Sequence, residues 1–186
     1  MKLKLIYLMF LPLAAVLSCS DSDEPTLINE EEVITTLRVT LTPQGGGTAV
    51  VLQSQDLDGD GPNAPVITVS GNLAANSMYT GTVEVLNELE SPIEDITEEV
   101  EEEAEEHQFF YTPNNAIVAV QYTDMDANGN PIGITFNLQT GGANTDTLTV
   151  TLRHEPNKYA VGVADGDITN ADGETDVEAV FTITVQ

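Results

Sequence analysis

The sequence predicts an all-β protein, an antiparallel β-sandwich with one short acidic helix inserted. Three observations lead there. From Val33 onward, short runs rich in Val, Ile, Thr and Leu are separated by clusters of Gly, Pro, Asn and Asp, the pattern of strands joined by tight turns. Several runs alternate apolar with polar residues, as a strand does when one face is buried and the other wet. One stretch, 91–106, breaks that rhythm with apolar residues at helical spacing.

Taken in order, the alternation is clearest at 36–42, where Leu37, Val39 and Leu41 interleave with Thr and Arg. It returns at 147–153 and 179–185. Further strands are expected at 48–53, 66–70, 80–86, 108–111, 117–122 and 132–138, at the short, even spacing of a sandwich. The helix is expected over about 92–106. Ser91 can cap it, Pro92 suits its first position, and Glu94 stands three residues after the cap. Ile93, Ile96, Val100 and Ala104 form one narrow apolar stripe, and the other faces are carboxylates. Those in the last turn oppose the helix dipole and one another, so the helix needs packing or neutralisation.

Ahead of the domain lies a sorting signal. Lys2 and Lys4 make the start positive, and residues 3–17 form a mostly apolar run, which is short for a membrane span and reads as a signal peptide over 1–18. The run ends in Val16-Leu17-Ser18-Cys19, which resembles the lipobox of bacterial lipoproteins. That resemblance implies cleavage before Cys19 and acylation of its thiol and new amino terminus, a covalent lipid that holds the protein to a membrane. Residues 19–32 read as an acidic tether, with the sandwich domain spanning 33–186. Acidic residues directly after the cysteine are similar to the surface-export signals of Bacteroidota lipoproteins, implying an outer-membrane location on the cell surface or the periplasmic face. Cys19 is the single cysteine of the chain, so no intrachain disulfide braces the domain.

Charge narrows the function. The chain carries 31 acidic residues, against which the part after the signal sets Arg38, Arg153 and Lys158. Phosphate-directed nucleic-acid binding is excluded by that balance, and cations are drawn in. No nucleophile elbow, phosphate loop or His-Glu-x-x-His motif occurs, so no catalytic role is expected.

Two kinds of cation site are suggested. Both histidines stand beside glutamate, in Glu106-His107 and His154-Glu155. On a continuous helix Glu99, Glu103 and His107 would share a face, with His154 joining from a neighbouring strand, a workable ligand set for zinc or copper. Alternatively each histidine simply ends an element and bonds a nearby carboxylate. Asp56-Leu57-Asp58-Gly59-Asp60-Gly61 spaces its oxygens like the front half of a calcium loop, and Asp124-Met125-Asp126-Ala127-Asn128-Gly129 repeats the spacing. Position twelve is Ile67 or Thr135 where an EF-hand has glutamate. The second segment also reads as plain hairpin-turn chemistry.

Two resemblances add to this reading. Residues 71–83, with Leu73 and Tyr79 ahead of a strand, resemble a segment of fibronectin type III domains, which implies an Ig/fibronectin-like sandwich. There the leucine packs under a turn and the tyrosine hydroxyl bonds back to the backbone. The chain as a whole is similar to small flavobacterial lipoproteins that carry the counterparts of Asn29-Glu30-Glu31-Glu32-Val33, Asp56-Leu57-Asp58-Gly59-Asp60-Gly61-Pro62, Glu105-Glu106-His107-Gln108-Phe109-Phe110-Tyr111 and Leu152-Arg153-His154-Glu155-Pro156. Those proteins are sometimes grouped under a "type 1 periplasmic binding fold" label, a two-lobed α/β receptor that a short alternating β chain does not fit. Their association with TonB-dependent outer-membrane transporters implies a non-enzymatic binding lipoprotein for a divalent metal or metal complex. The alternative expectation is an interaction module that docks to an envelope partner, with calcium only stabilising its loops.

Overall fold

The computed structural model describes residues 32–59 and 61–186; Cys19, the signal at 1–18, residues 19–31 and Asp60 lie outside the described residues. Strands β1 (Thr36–Pro43), β2 (Val50–Gln55), β3 (Val66–Val69) and β4 (Met78–Asn87) come first. A two-residue β5 (Glu94–Asp95) and helix α1 (Ile96–Glu102) follow. β6 (His107–Pro113), β7 (Val118–Tyr122), β8 (Thr135–Thr140), β9 (Asn144–His154) and β10 (Glu174–Val185) complete the order. The larger sheet runs β3-β2-β1-β4-β8-β7 with β5 paired to β4, and the smaller runs β10-β9-β6. The fold is thus an all-β sandwich of antiparallel sheets, and every predicted strand is present.

Alternation explains how the sheets meet. Leu37, Val39 and Leu41 of β1 point inward with Val83 and Val85 of β4, while Leu148, Val150 and Leu152 of β9 face them with Phe181 and Ile183 of β10; all join one core. Removing a buried phenylalanine from such a core costs about 3–5 kcal/mol. Gly81 lets Phe136 lie flat on β4, since a Cβ there would sit 2.2 Å from the ring. The expected tyrosine corner is formed. Tyr79 Oη accepts a 2.7 Å hydrogen bond from the Ala74 amide, and Leu73 is buried beneath the turn. Leu73 also ties the turn to β10, donating to Thr184 O and accepting from the Gln186 amide.

β6 differs from the other strands, because His107 through Tyr111 are all buried. Phe110 faces away from the main core and packs with Val163 and Ala171, which belong to the long β9–β10 connection. Gln108 fastens that connection by donating to Val163 O at 2.9 Å. Burial on both faces accounts for the unbroken apolar run at 109–111.

The helix is shorter than expected and begins later. Asp95, not Ser91, is the N-cap, accepting from the Thr97 amide at 3.0 Å. Glu94 and Asp95 pair with Asn87 and Leu86, which holds the preceding backbone extended and leaves Ile93 exposed. The apolar stripe therefore starts at Ile96, with Val100 also buried and Ala104 partly so. Thr97 anchors α1 to β4, its hydroxyl accepting from the Val85 amide and donating to Val85 O. At the other end Glu103 is the C-cap and no basic residue occupies the last turn. Helix α1 itself therefore supplies no cation to offset the carboxylates crowding that terminus. The Lys158 ammonium, which donates to Ala104 O, comes from elsewhere in the chain, and the chain turns into β6 by His107.

Candidate metal centre

His107 opens β6, His154 closes β9, and the two are direct partners in the antiparallel ladder. Cross-strand partners project from the same face, so the imidazoles stack, with ring centroids 4.7 Å apart and planes 16° from parallel. The other neighbour of β9 supplies a third group through an irregularity. β10 sets Glu174 opposite His154, Thr175 opposite Arg153 and then Val177 opposite Leu152, leaving Asp176 as an extra residue. A bulge of this kind re-aims its side chain. Asp176 Oδ2 lies 3.9 Å from His107 Nε2, and Oδ1 lies 4.0 Å from His154 Nδ1. The fourth group arrives ahead of β1, where Glu32 places Oε1 3.6 Å from His107 Nε2.

His107 is the hub of this cluster, with a side chain 0% exposed. Its Nδ1 lies 3.3 Å from the Glu103 carbonyl, so the ring proton belongs on Nδ1 and the Nε2 lone pair faces Glu32 and Asp176. Among the described residues Nε2 has no hydrogen-bond partner. One ring nitrogen tied to a backbone carbonyl while the other faces carboxylates is how a metal-ligating histidine is oriented. Burial lowers the proton affinity of His107, and the Glu103 hydrogen bond offsets this only in part. The ring is therefore neutral at pH 7, as ligation requires.

Glu32 is perturbed the opposite way. Burial, followed by the nearby charges of Glu99, Asp176 and Glu103, pushes its pKa up to about 7, and His154 opposes the rise. Its Oε2 is also buried without a hydrogen-bond partner among the described residues. Glu32, assigned to the tether by its polar surroundings in the sequence, belongs physically to the domain, its side chain 13% exposed.

The ligand atoms of His107, His154 and Asp176 lie within 4.8 Å of one another, as do those of Glu32, Glu103 and His107. A tetrahedral zinc site with bonds of about 2.0–2.1 Å separates neighbouring ligand atoms by roughly 3.3 Å. The gaps of 3.6 and 3.9 Å around His107 Nε2 exceed that value by roughly 0.3–0.6 Å, and His154 Nδ1 meets the other oxygen of Asp176 at 4.0 Å. Two nitrogens with carboxylates suit zinc or copper, whereas calcium and magnesium take oxygen. At the rim, Glu106, His154 and Glu155 form a more exposed group, with His154 Nε2 3.9 Å from Glu106 Oε2. The backbone is tight here: a Cβ on Gly173, at φ +70°, would lie 2.2 Å from His154 O.

The sequence-predicted residues are thus brought together by a different route. His107 and His154 meet, and Glu103 joins, but His107 lies on a strand rather than a helix face and Glu103 is a cap residue. Glu99 is exposed on α1 and acts on the cluster through its charge on Glu32. Glu32 and Asp176 are additions that no local spacing announced.

The candidate calcium loops are described in part. Asp56 Oδ1 accepts from the Asp58 amide at 3.2 Å and Asp58 Oδ2 from Asn63 Nδ2 at 2.5 Å, the contacts of a self-bonded turn. In the second segment Asp124 accepts from the amides of Gly133 and Thr135. Asp126 Oδ1 accepts from the amides of Asn128 and Asn130, both at 2.9 Å, and the Asn128 side chain is exposed. The remaining oxygen, Oδ2, accepts from Lys158 Nζ at 3.1 Å. Lys158, 3% exposed, also donates to Pro131 O at 3.0 Å and to Ala104 O. An internal ammonium therefore stands where a cation would have to sit.

No helix among the described residues is long and apolar enough to cross a membrane. Compared with family models, curated proteins and solved structures, the chain matches none.

Proposed function

We propose that this protein is a non-enzymatic binding lipoprotein of the cell envelope that holds a divalent transition metal, zinc or copper, at the cluster centred on His107. The observation that carries this reading is the fully buried His107 Nε2, which lacks a hydrogen-bond partner among the described residues and faces Glu32 and Asp176. Leaving a buried polar atom unsatisfied costs about 1–3 kcal/mol, and a bound dication removes that penalty. A dication also offsets the burial of the Glu32 carboxylate, the main cause of its raised pKa, and the added repulsion from Glu99, Asp176 and Glu103. The lipobox-like Val16-Leu17-Ser18-Cys19 supports membrane tethering through the Cys19 lipid. The resemblance to lipoproteins associated with TonB-dependent transporters supports a role in presenting the metal, or a metal complex, to such a transporter.

The test is calorimetric titration of the chelator-treated protein with zinc, copper and calcium. Zinc or copper should bind with micromolar or tighter affinity at one site, and His107→Ala should abolish that binding while the far-ultraviolet spectrum stays unchanged. Calcium binding alone, or no binding, would overturn the assignment.

A further inference from the structure

Resting on that metal reading, we infer that Glu32 is itself a metal ligand and that the metal fastens the segment entering β1 onto the small sheet, so that occupancy is reported at the domain's junction with its N-terminal region. The first secure anchor of that entry is Thr35. Its amide and hydroxyl both donate to Leu86 O, and its hydroxyl accepts from the Glu88 amide. These bonds belong to the large sheet. Three residues earlier, Glu32 reaches across to the other sheet, to His107 of β6 and within the field of Asp176 of β10.

Without a metal this reach is poorly held. The carboxylate is partly buried beside Glu99, Glu103 and Asp176, charges of its own sign, and its Oε2 finds no hydrogen-bond donor among the described residues. Val33 is exposed at 55% and adds little packing, which leaves Ile34, partly buried against the core, as the apolar hold on this entry. A dication reverses the sign of the interaction. It turns the carboxylates from mutual repellents into shared ligands and links Glu32 to β6, β9 and β10 through His107, His154 and Asp176. Because His107, His154 and Asp176 form a group without Glu32, the metal can bind at the sheet while the entry segment stays loose. Closure of Glu32 is then the last step, and it ties the entry to β1 onto the small sheet.

Amide hydrogen exchange of Glu32, Val33 and Ile34 in the intact protein, in detergent, tests this with zinc and with chelator. Zinc should slow exchange at these amides at least tenfold, while amides in β1 change little. Glu32→Gln should still bind zinc, more weakly, yet lose the protection. Zinc binding by calorimetry without any change in exchange at residues 32–34 would overturn this inference and leave the metal site intact. Absence of zinc binding altogether would overturn the metal reading with it.

Discussion

Lys158 Nζ lies 3.1 Å from Asp126 Oδ2, both side chains almost wholly buried, and this pair locks the β9–β10 connection to the hairpin at 124–130. Lys158→Met removes the charge and strands Asp126. Breaking a buried pair from one side costs about 3–5 kcal/mol, and the same range is expected here as a fall in chemical-denaturation stability. Calcium should not restore it, because backbone amides still hold both oxygens of Asp124 and Oδ1 of Asp126, leaving Asp126 Oδ2 as the one carboxylate oxygen of the two that the variant frees.

Asp126 also sets a pH dependence. Burial works against its ionised form, but the Asn130 amide and the Lys158 ammonium hold its pKa below the usual 3.8. A carboxyl depressed on folding contributes stability that is present above its unfolded value and lost as pH falls through its folded one. Asp126→Asn should be less stable than the parent at pH 6. The gap should narrow below about pH 3.8, as followed by denaturant midpoints across pH.

Glu32 has the opposite sign. Its folded pKa of about 7 lies above the ordinary 4.5, so folding disfavours the ionised form and the metal-free protein loses stability as pH rises from about 4.5 through 7. Metal-free Glu32→Gln should therefore be more stable than the parent at pH 8 and nearly equal at pH 4. Thermal melts after chelation check both arms. With zinc added the order at pH 8 should invert, since ligand at one hundred times its Kd stabilises by about 2.7 kcal/mol.

The tyrosine corner gives a prediction independent of metal. Tyr79→Phe keeps the ring but leaves the Ala74 amide without its 2.7 Å acceptor. A loss of about 1–3 kcal/mol is expected, with unchanged zinc affinity, because the corner stands apart from the His107 cluster in the sandwich. Stability and affinity measured on the same variant separate the two.

The sandwich was legible because its strands are half-buried: Leu37, Val39 and Leu41 alternate with polar residues for the physical reason that one face meets the core. The helix start is not legible, because Ser91-Pro92 carries the local signals of a cap, while the actual cap, Asp95, depends on pairing with Leu86, a contact that nearby residues do not encode. His107 and His154 could be picked out as the chain's two histidines, but their meeting rests on the β6–β9 register. Glu32 was hidden by acidic neighbours that look like tether. Asp176 was hidden because Glu174, Thr175 and Asp176 are all polar, and a bulge within a polar stretch leaves no break in the alternation to notice.

The bulge at Asp176 has an evolutionary consequence. Because Thr175 and Val177 keep their partners on β9, position 176 is free of the inward–outward parity that constrains its neighbours. A substitution there can change the side-chain chemistry presented beside His107 and His154 without moving Ala179, Phe181, Ile183 or Val185 off the core. The scaffold and the chemistry it displays can thus diverge at separate rates, one residue at a time.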